Sequence, residues 1–305
     1  MKALPFFAAL ILCEHCLFAQ CACTAGAAVG GLTPVGGTVN VGVLREGYGR
    51  ASLTYRYAAG RTTLRGDERT GNESIRSYGT HYTTLQLAYG LTDVWTLETG
   101  VGYFPRKVQD FGYTKATGSG ASHIYAGTKY NVFSRPSREA EVTLGAGINF
   151  PLGSGDSSVP QHILPSSGAY GLVLQGFLHK GWKRAGFRVI LLHRSEFNAE
   201  NNIAYRYGAG HFTSIIAGKY IGGPLTAFLE LRHEFRMPDM YLGNRLENTG
   251  CTVFTISPQI NAVFGQFNLS ALFDYPVYRY YKGTQLANDF SAAVVLTWQA
   301  DLRGE

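Results

Sequence analysis

Between Thr83 and Leu91 the chain alternates with a period of two: Leu85, Leu87, Tyr89 and Leu91 fall on one side, Thr84, Gln86, Ala88 and Gly90 on the other. The pattern recurs. From Val94 to Tyr103, Leu97, Thr99, Val101 and Tyr103 oppose Thr96, Glu98, Gly100 and Gly102. From Glu141 to Phe150, Val142, Leu144, Ala146, Ile148 and Phe150 oppose Glu141, Thr143, Gly145, Gly147 and Asn149. From Asn268 to Val277, Leu269, Ala271, Phe273, Tyr275 and Val277 oppose Asn268, Ser270, Leu272 and Asp274. Strands send successive side chains to opposite faces, whereas helices repeat every 3.6 residues. No stretch of comparable length carries the helical period, so the fold class is all-β.

Composition narrows the class. The 19 Tyr and 18 Phe exclude a disordered chain. After the N-terminus no apolar run approaches the roughly 20 residues of a membrane helix. Charged residues are only 16 % of the chain, against about 25 % in ordinary soluble domains.

Connection lengths then supply the architecture. Short turns are expected at Leu91-Thr92-Asp93, Ser134 to Arg138, Lys183 to Ala185, Gly222 to Pro224 and Gly265-Gln266. Between them fall long polar loops near 66–78, 107–119, 154–167, 197–209, 238–250 and 281–289. That alternation describes a transmembrane antiparallel β-barrel of about 12 strands, with short periplasmic turns and long outer loops. The first strand is expected near Ala51 to Tyr57 and the last near Ser291 to Trp298. An even count leaves both ends in the periplasm.

The two faces differ in chemistry. The aliphatic and aromatic face has no second domain to cover it, so lipid must. The opposite face reads as small and polar. Glu230, Arg232, Glu234 and Arg236 alternate with Leu229, Leu231, His233 and Phe235. On the lipid side an arginine at mid-depth would cost roughly 2–4 kcal/mol, so these charges are assigned to the lumen. Parity places Glu98, Lys129, Glu141, Arg188 and Asp274 with them as pathway-lining residues. Tyr55, Tyr57, Trp95, Tyr103, Phe104, Trp182, Tyr275, Tyr278, Tyr280, Tyr281 and Trp298 cluster at strand ends, as interfacial girdles do.

Residues 1–22 read as a cleaved export signal: Lys2 precedes the apolar run Ala3 to Leu12, and Ala19 and Ala22 are small residues at a cleavage region. Cys13 and Cys16 would leave with it, Cys21 and Cys23 would sit near the new terminus, and Cys251 would stand alone. A lipid anchor on Cys21, or a soft-metal cluster formed with His15 in a retained signal, is a weaker reading of the same residues. Residues 23–49, rich in glycine and valine, form a candidate plug or gate outside the even strand count. The barrel is expected over 50–299, followed by a tail at 300–305.

At this point the segments carry a resemblance. Tyr89-Gly90-Leu91-Thr92-Asp93-Val94-Trp95-Thr96-Leu97 with Gly102-Tyr103-Phe104-Pro105, and Gly118-Ser119-Gly120 with Tyr125 to Tyr130, resemble an outer-membrane transporter family named for the meta-pathway of phenol degradation. Gly145 to Gly155, Tyr275-Pro276-Val277-Tyr278 and Gly283-Thr284-Gln285-Leu286 follow in the family's order. The resemblance implies a barrel distantly akin to fatty-acid and aromatic-hydrocarbon channels, passing small hydrophobic or aromatic solutes. It implies no catalytic residues.

Enzyme signatures are poor. There is no Gly-x-Ser-x-Gly elbow and no phosphate-cradling loop. The eight histidines make no His-x-x-x-His pair for a metal, and no cofactor is expected. Strand glycines such as Gly100 and Gly102 are expected to relieve crowding inside a narrow barrel. Net charge is +6, dispersed without the stripe that nucleic acid requires. Three readings remain: an outer-membrane channel, a plugged structural or adhesive barrel, and a lipid-acting barrel enzyme using Ser214 with His211. The expected partners are outer-membrane lipid, a small solute and the barrel-assembly machinery.

Overall fold

The alternation is realised as twelve long antiparallel strands: β1 (Tyr48–Gly60), β2 (Ser77–Thr92), β3 (Trp95–Asp110), β4 (Lys115–Arg135), β5 (Ala140–Pro151), β6 (Gly171–Trp182), β7 (Phe187–Asn198), β8 (Gly210–Gly222), β9 (Leu225–Arg236), β10 (Cys251–Phe264), β11 (Phe267–Ala287) and β12 (Phe290–Asp301). The computed structural model describes residues 42–71, 76–156, 158 and 161–303. The export signal, and most of the candidate plug, lie outside the described residues.

Each strand pairs with its neighbours in sequence, and β1 pairs with β12 from Tyr48↔Asp301 to Ala59↔Phe290. The sheet is therefore a closed barrel. Closure has a physical cause: an open edge would present unpaired amides to lipid, each costing several kcal/mol. No helix among the described residues is long and apolar enough to cross a membrane. The strands span instead.

Five tight connections lie at one end, and both ends of the barrel sequence lie with them. All five are the expected turns, at 92–95, 135–140, 182–187, 222–225 and 264–267, the second of them containing the helical turn Pro136–Arg138. At Phe264–Phe267 a two-residue loop reverses the chain with Gly265 at φ 58°, a conformation that glycine adopts without steric cost.

Two expected loops are strands. Residues 107–119 and 281–289 shrink to connections at 111–114 and 288–289, because β3, β4 and β11 extend past their neighbours. Their polar composition reads as loop, but a strand beyond the bilayer needs no apolar face. Lys107 and Gln109 turn inward and Arg106 and Val108 outward, while the far part of β11 pairs with a hairpin at Thr62–Gly66. The other strands also exceed expectation: β1 and β12 run several residues beyond 51–57 and 291–298.

The outer wall is a belt of exposed aliphatic residues, among them Leu53, Leu85, Leu97, Leu144, Leu174, Leu191, Ile215, Leu231, Leu269 and Leu296. An apolar surface so continuous is a membrane surface rather than a soluble one. Trp95, Tyr130, Trp182 and Phe267 edge it at the short-turn end, Tyr55, Tyr103, Phe254 and Tyr278 at the other. Phe104 and Tyr281, expected in these girdles, are instead buried. Phe104 continues the inward parity of Glu98, Gly100 and Gly102, and a bulge between Pro276 and Tyr278, opposite Phe254 and Thr255, turns Tyr281 inward.

At the long-loop end the loops knit together. A small sheet joins Tyr205–Arg206, Met240–Tyr241 and Asn244–Arg245. Asn201 donates to the Ser167 carbonyl at 3.0 Å, and Asn202 accepts from Gly155 N–H at 2.7 Å.

Candidate solute pathway in the barrel interior

The alternation that turns leucines outward turns polar side chains into the bore. On β9 this puts Glu230 and Arg232 inside, and β11 brings Asp274 beside them. Glu230 Oε1 accepts from Arg232 Nε at 3.0 Å and from Ser214 Oγ at 2.6 Å, and its Oε2 accepts from Gln259 at 2.8 Å. Arg232 Nη2 donates to Asp274 at 2.7 Å. Arg56 on β1 lies against Asp274 and donates to Ser291 Oγ at 2.7 Å, while Ser291 donates to Asp274 at 2.8 Å. Two carboxylates and two guanidiniums thus form one neutral network across β8 to β12 and β1. Asp274 is 1 % exposed and Glu230 2 %, so solvent screens these pairs little.

Two further pairs stand elsewhere on the inner wall. Lys129 Nζ meets Glu98 at 2.6 Å, and Arg194 Nε donates to Glu196 at 2.8 Å. Glu141 accepts from Thr143 Oγ1 at 2.9 Å and from Val43 N–H at 3.4 Å. Arg188 shares the inward parity but lies exposed at the short-turn mouth. Glu234 and Arg236 also point inward, and Glu234 Oε1 and Arg236 Nε and Nη2 are buried without a hydrogen-bond partner among the described residues.

The inner face is not merely small and polar, as the alternation suggested. Tyr82, Phe104, Tyr125, Val173, Phe177, Ile190, Ile216 and Phe228 all point into it and are buried. Most belong to β2 to β8, facing the ion network of β9 to β1. The signal for them was the glycines. A Cβ at Gly102 would stand 2.3 Å from Tyr82 Oη, and one at Gly147 would stand 2.3 Å from the Tyr125 ring. Inward glycines make room for rings on neighbouring strands.

Both ends of the bore are covered. At the short-turn end Gly42 to Leu44 turn inward, while Arg45 and Glu46 stay exposed: Leu44 is buried and its N–H donates to Thr96 Oγ1 at 2.7 Å. At the other end Lys107 Nζ donates to the Leu164 carbonyl at 2.7 Å, and Asp239 is buried beneath the loop sheet. Asp239 accepts from Gly208 N–H at 2.7 Å and from Tyr205 Oη at 2.5 Å. Burial holds its carboxyl above the usual carboxylate range, only partly offset by those donors.

Two expectations need correction. Ser214 and His211 do not meet, since residues three apart on a strand face opposite ways. Ser214 is in the bore on Glu230, while His211 is on the outer wall, where its Nδ1 lies 2.9 Å from Ser195 Oγ. His193 Nε2 is 3.1 Å from the same oxygen. The amides flanking Ser195 are spent in the ladders to β6 and β8, which leaves none to stabilise an oxyanion. Cys251, expected to stand alone, is disulfide-bonded. The other four cysteines all precede residue 24, outside the described residues.

No protein-family model matches the chain, and no curated protein matches it. Solved structures do. The COG4313 outer membrane channel from Pseudomonas putida F1 is similar with a TM-score of 0.73 at 11 % identity, covering 86 % of this chain and 98 % of that one. At that identity the likeness shows a shared outer-membrane barrel fold. The translocator domain of the autotransporter NalP from Neisseria meningitidis (TM-score 0.47, 11 % identity, covering 84 % and 89 %) and the KdgM porin (0.45, 8 %, covering 81 % and 98 %) fall too low to carry an argument.

Proposed function

We propose that this protein is an outer-membrane conduit for small hydrophobic or aromatic solutes, with its long-loop end outside the cell. The observation that carries the reading is the two-sided bore. Rings and aliphatic side chains concentrate on β2 to β8, beside the Lys129–Glu98 and Arg194–Glu196 pairs, and a neutral ion network lines β9 to β1. A flat aromatic solute bearing one polar group finds a matching surface on each side. The same solute class is what the resemblance of the strand segments to the transporter family named for the meta-pathway of phenol degradation implies.

In this reading the described state is the resting one, and the segment before β1 is its gate. Leu44 and Val43 already reach Thr96 on β3 and Glu141 on β5. Export by a cleaved signal, insertion by the barrel-assembly machinery and a lipid environment belong to the same proposal.

The test is flux through liposomes carrying the full-length protein. Benzoate-sized aromatic solutes are expected to pass faster than a sugar of equal size, and Arg232→Ala or Glu230→Ala to alter the rate. Passage no faster than in empty liposomes refutes the conduit. It would favour the second reading, a plugged structural barrel, for which the covered ends and buried inner side chains are the specific observation.

A further inference from the structure

The outer wall carries polar side chains where lipid should meet only carbon. Between β1, β2 and β3, near the long-loop end, lies a depression of about 240 Å³ lined by Tyr57, Arg61, Ser77, His81, Arg106 and Val108, with Ala59, Tyr78 and Gly79. Parity puts all of them but Tyr78 outside: they share the outer wall with exposed Tyr55 and Tyr103, while Tyr78, Tyr82, Lys107 and Gln109 point inward. The small residues Ala59 and Gly79 create the hollow. A Cβ at Gly79 would come no nearer than 3.7 Å to Tyr57 Oη.

The donors around it are unengaged. Among the described residues neither Arg61 nor Arg106 pairs its guanidinium with a carboxylate. The nearby acids are occupied: Asp289 accepts from the Arg61 backbone N–H at 2.7 Å and from Arg279 at 2.8 Å, and Asp110 faces Lys115. His81 gives Nδ1 to Tyr55 Oη at 2.7 Å, which leaves Nε2 for another partner, and its ring lies 4.9 Å from that of Tyr57. Two guanidiniums, an imidazole and two hydroxyls converging on one hollow form a recognition set for a phosphate group.

The surface below decides what carries the phosphate. Moving from the hollow toward the barrel's middle, the outward residues become Tyr55 and Leu53 on β1, Leu85 and Leu87 on β2, and Tyr103 and Val101 on β3. A charged rim above an apolar track complements an amphiphile, head up and acyl chains down. We propose that this hollow binds the phosphate head of a lipid in the outer leaflet. The site rests on the proposed membrane orientation but not on solute passage, so binding and flux can fail separately.

Native mass spectrometry of the full-length protein in non-ionic detergent tests it, titrating phosphatidic acid against diacylglycerol with the same acyl chains. One phosphatidic acid per barrel is expected, with diacylglycerol bound at least about tenfold more weakly, as loss of charge-assisted hydrogen bonds requires. The double variant Arg61→Gln, Arg106→Gln should lose phosphatidic acid by a similar factor while keeping the heat-modifiable band of a folded barrel. If the double variant does not fold, Arg106→Gln alone, at an exposed position, is read in its place. Equal retention of the two lipids, or undiminished binding by the variant, overturns the proposal. Inorganic phosphate binding alone as tightly as the lipid overturns it too, and assigns the site to a free anion.

Discussion

Asp274→Asn isolates the charge of one buried carboxylate while preserving its shape. In the wild type Asp274 faces two guanidiniums and one hydroxyl, Arg56, Arg232 Nη2 at 2.7 Å and Ser291 Oγ at 2.8 Å. Its side chain is 2 % exposed, those of Arg56 and Arg232 10 % and 7 %. The amide can accept from only one arginine through its oxygen, and its NH₂ faces the other donor. The network is left with one net positive charge. Hydrogen bonds to charged groups contribute about 1.5–3 kcal/mol each, and two of them do not add freely. Removing one partner of a buried pair costs about 3–5 kcal/mol, the magnitude expected here. The assay is urea unfolding of the barrel in detergent micelles, followed by tryptophan fluorescence and the cold-gel shift. A loss below about 1 kcal/mol would place the pair in the range of solvent-exposed ion pairs. That outcome would refute the packed, screened-off bore on which the argument depends. The same variant should shift ion preference toward anions in a planar bilayer, because the bore gains positive charge.

Other perturbations test other parts of the structure. Gly102→Ala puts a methyl group 2.3 Å from Tyr82 Oη and should cost about 1–3 kcal/mol by overpacking; Tyr82→Phe in the same background should recover part of it, and no recovery would mean that the hydroxyl is not the obstacle. Asp239, whose carboxyl is held above its unfolded value by burial, keeps its proton in the folded loops where the unfolded chain has released it. The stability it contributes is present in acid and is lost as pH rises through the folded pKa. Proteolysis of the 201–209 and 237–249 loops should therefore quicken as pH rises, and Asp239→Asn should flatten the dependence; the opposite slope would contradict the assignment. Peptide mapping without reductant should recover the Cys251 peptide joined to another cysteine peptide, and a free Cys251 thiol would refute the disulfide.

The local order of this barrel was open to reading because parity is a property of the backbone alone. A strand cannot present Leu229 and Leu231 to lipid without sending Glu230 and Arg232 the other way. The alternation therefore determined the strands, their approximate number and the side of the wall on which Glu98, Lys129, Glu230, Arg232 and Asp274 stand. It failed wherever the period broke. The bulge opposite Phe254 and Thr255 turned Tyr281, a supposed girdle residue, inward, and polar strands beyond the bilayer passed for loops at 107–119 and 281–289.

What parity cannot supply is which inward residues meet. Arg56 and Asp274 are 218 positions apart, and they touch only because β1 closes on β12 and β12 lies beside β11. Across the bore, partners depend on how far the strands are staggered when the sheet closes, a quantity set by the whole ring of hydrogen bonds and by no single segment. The same holds for the rings seated over Gly102 and Gly147, for the knitted outer loops, and for the outward hollow between Arg61 and Arg106. Sequence alone determined which face each side chain would occupy; closure decided its company.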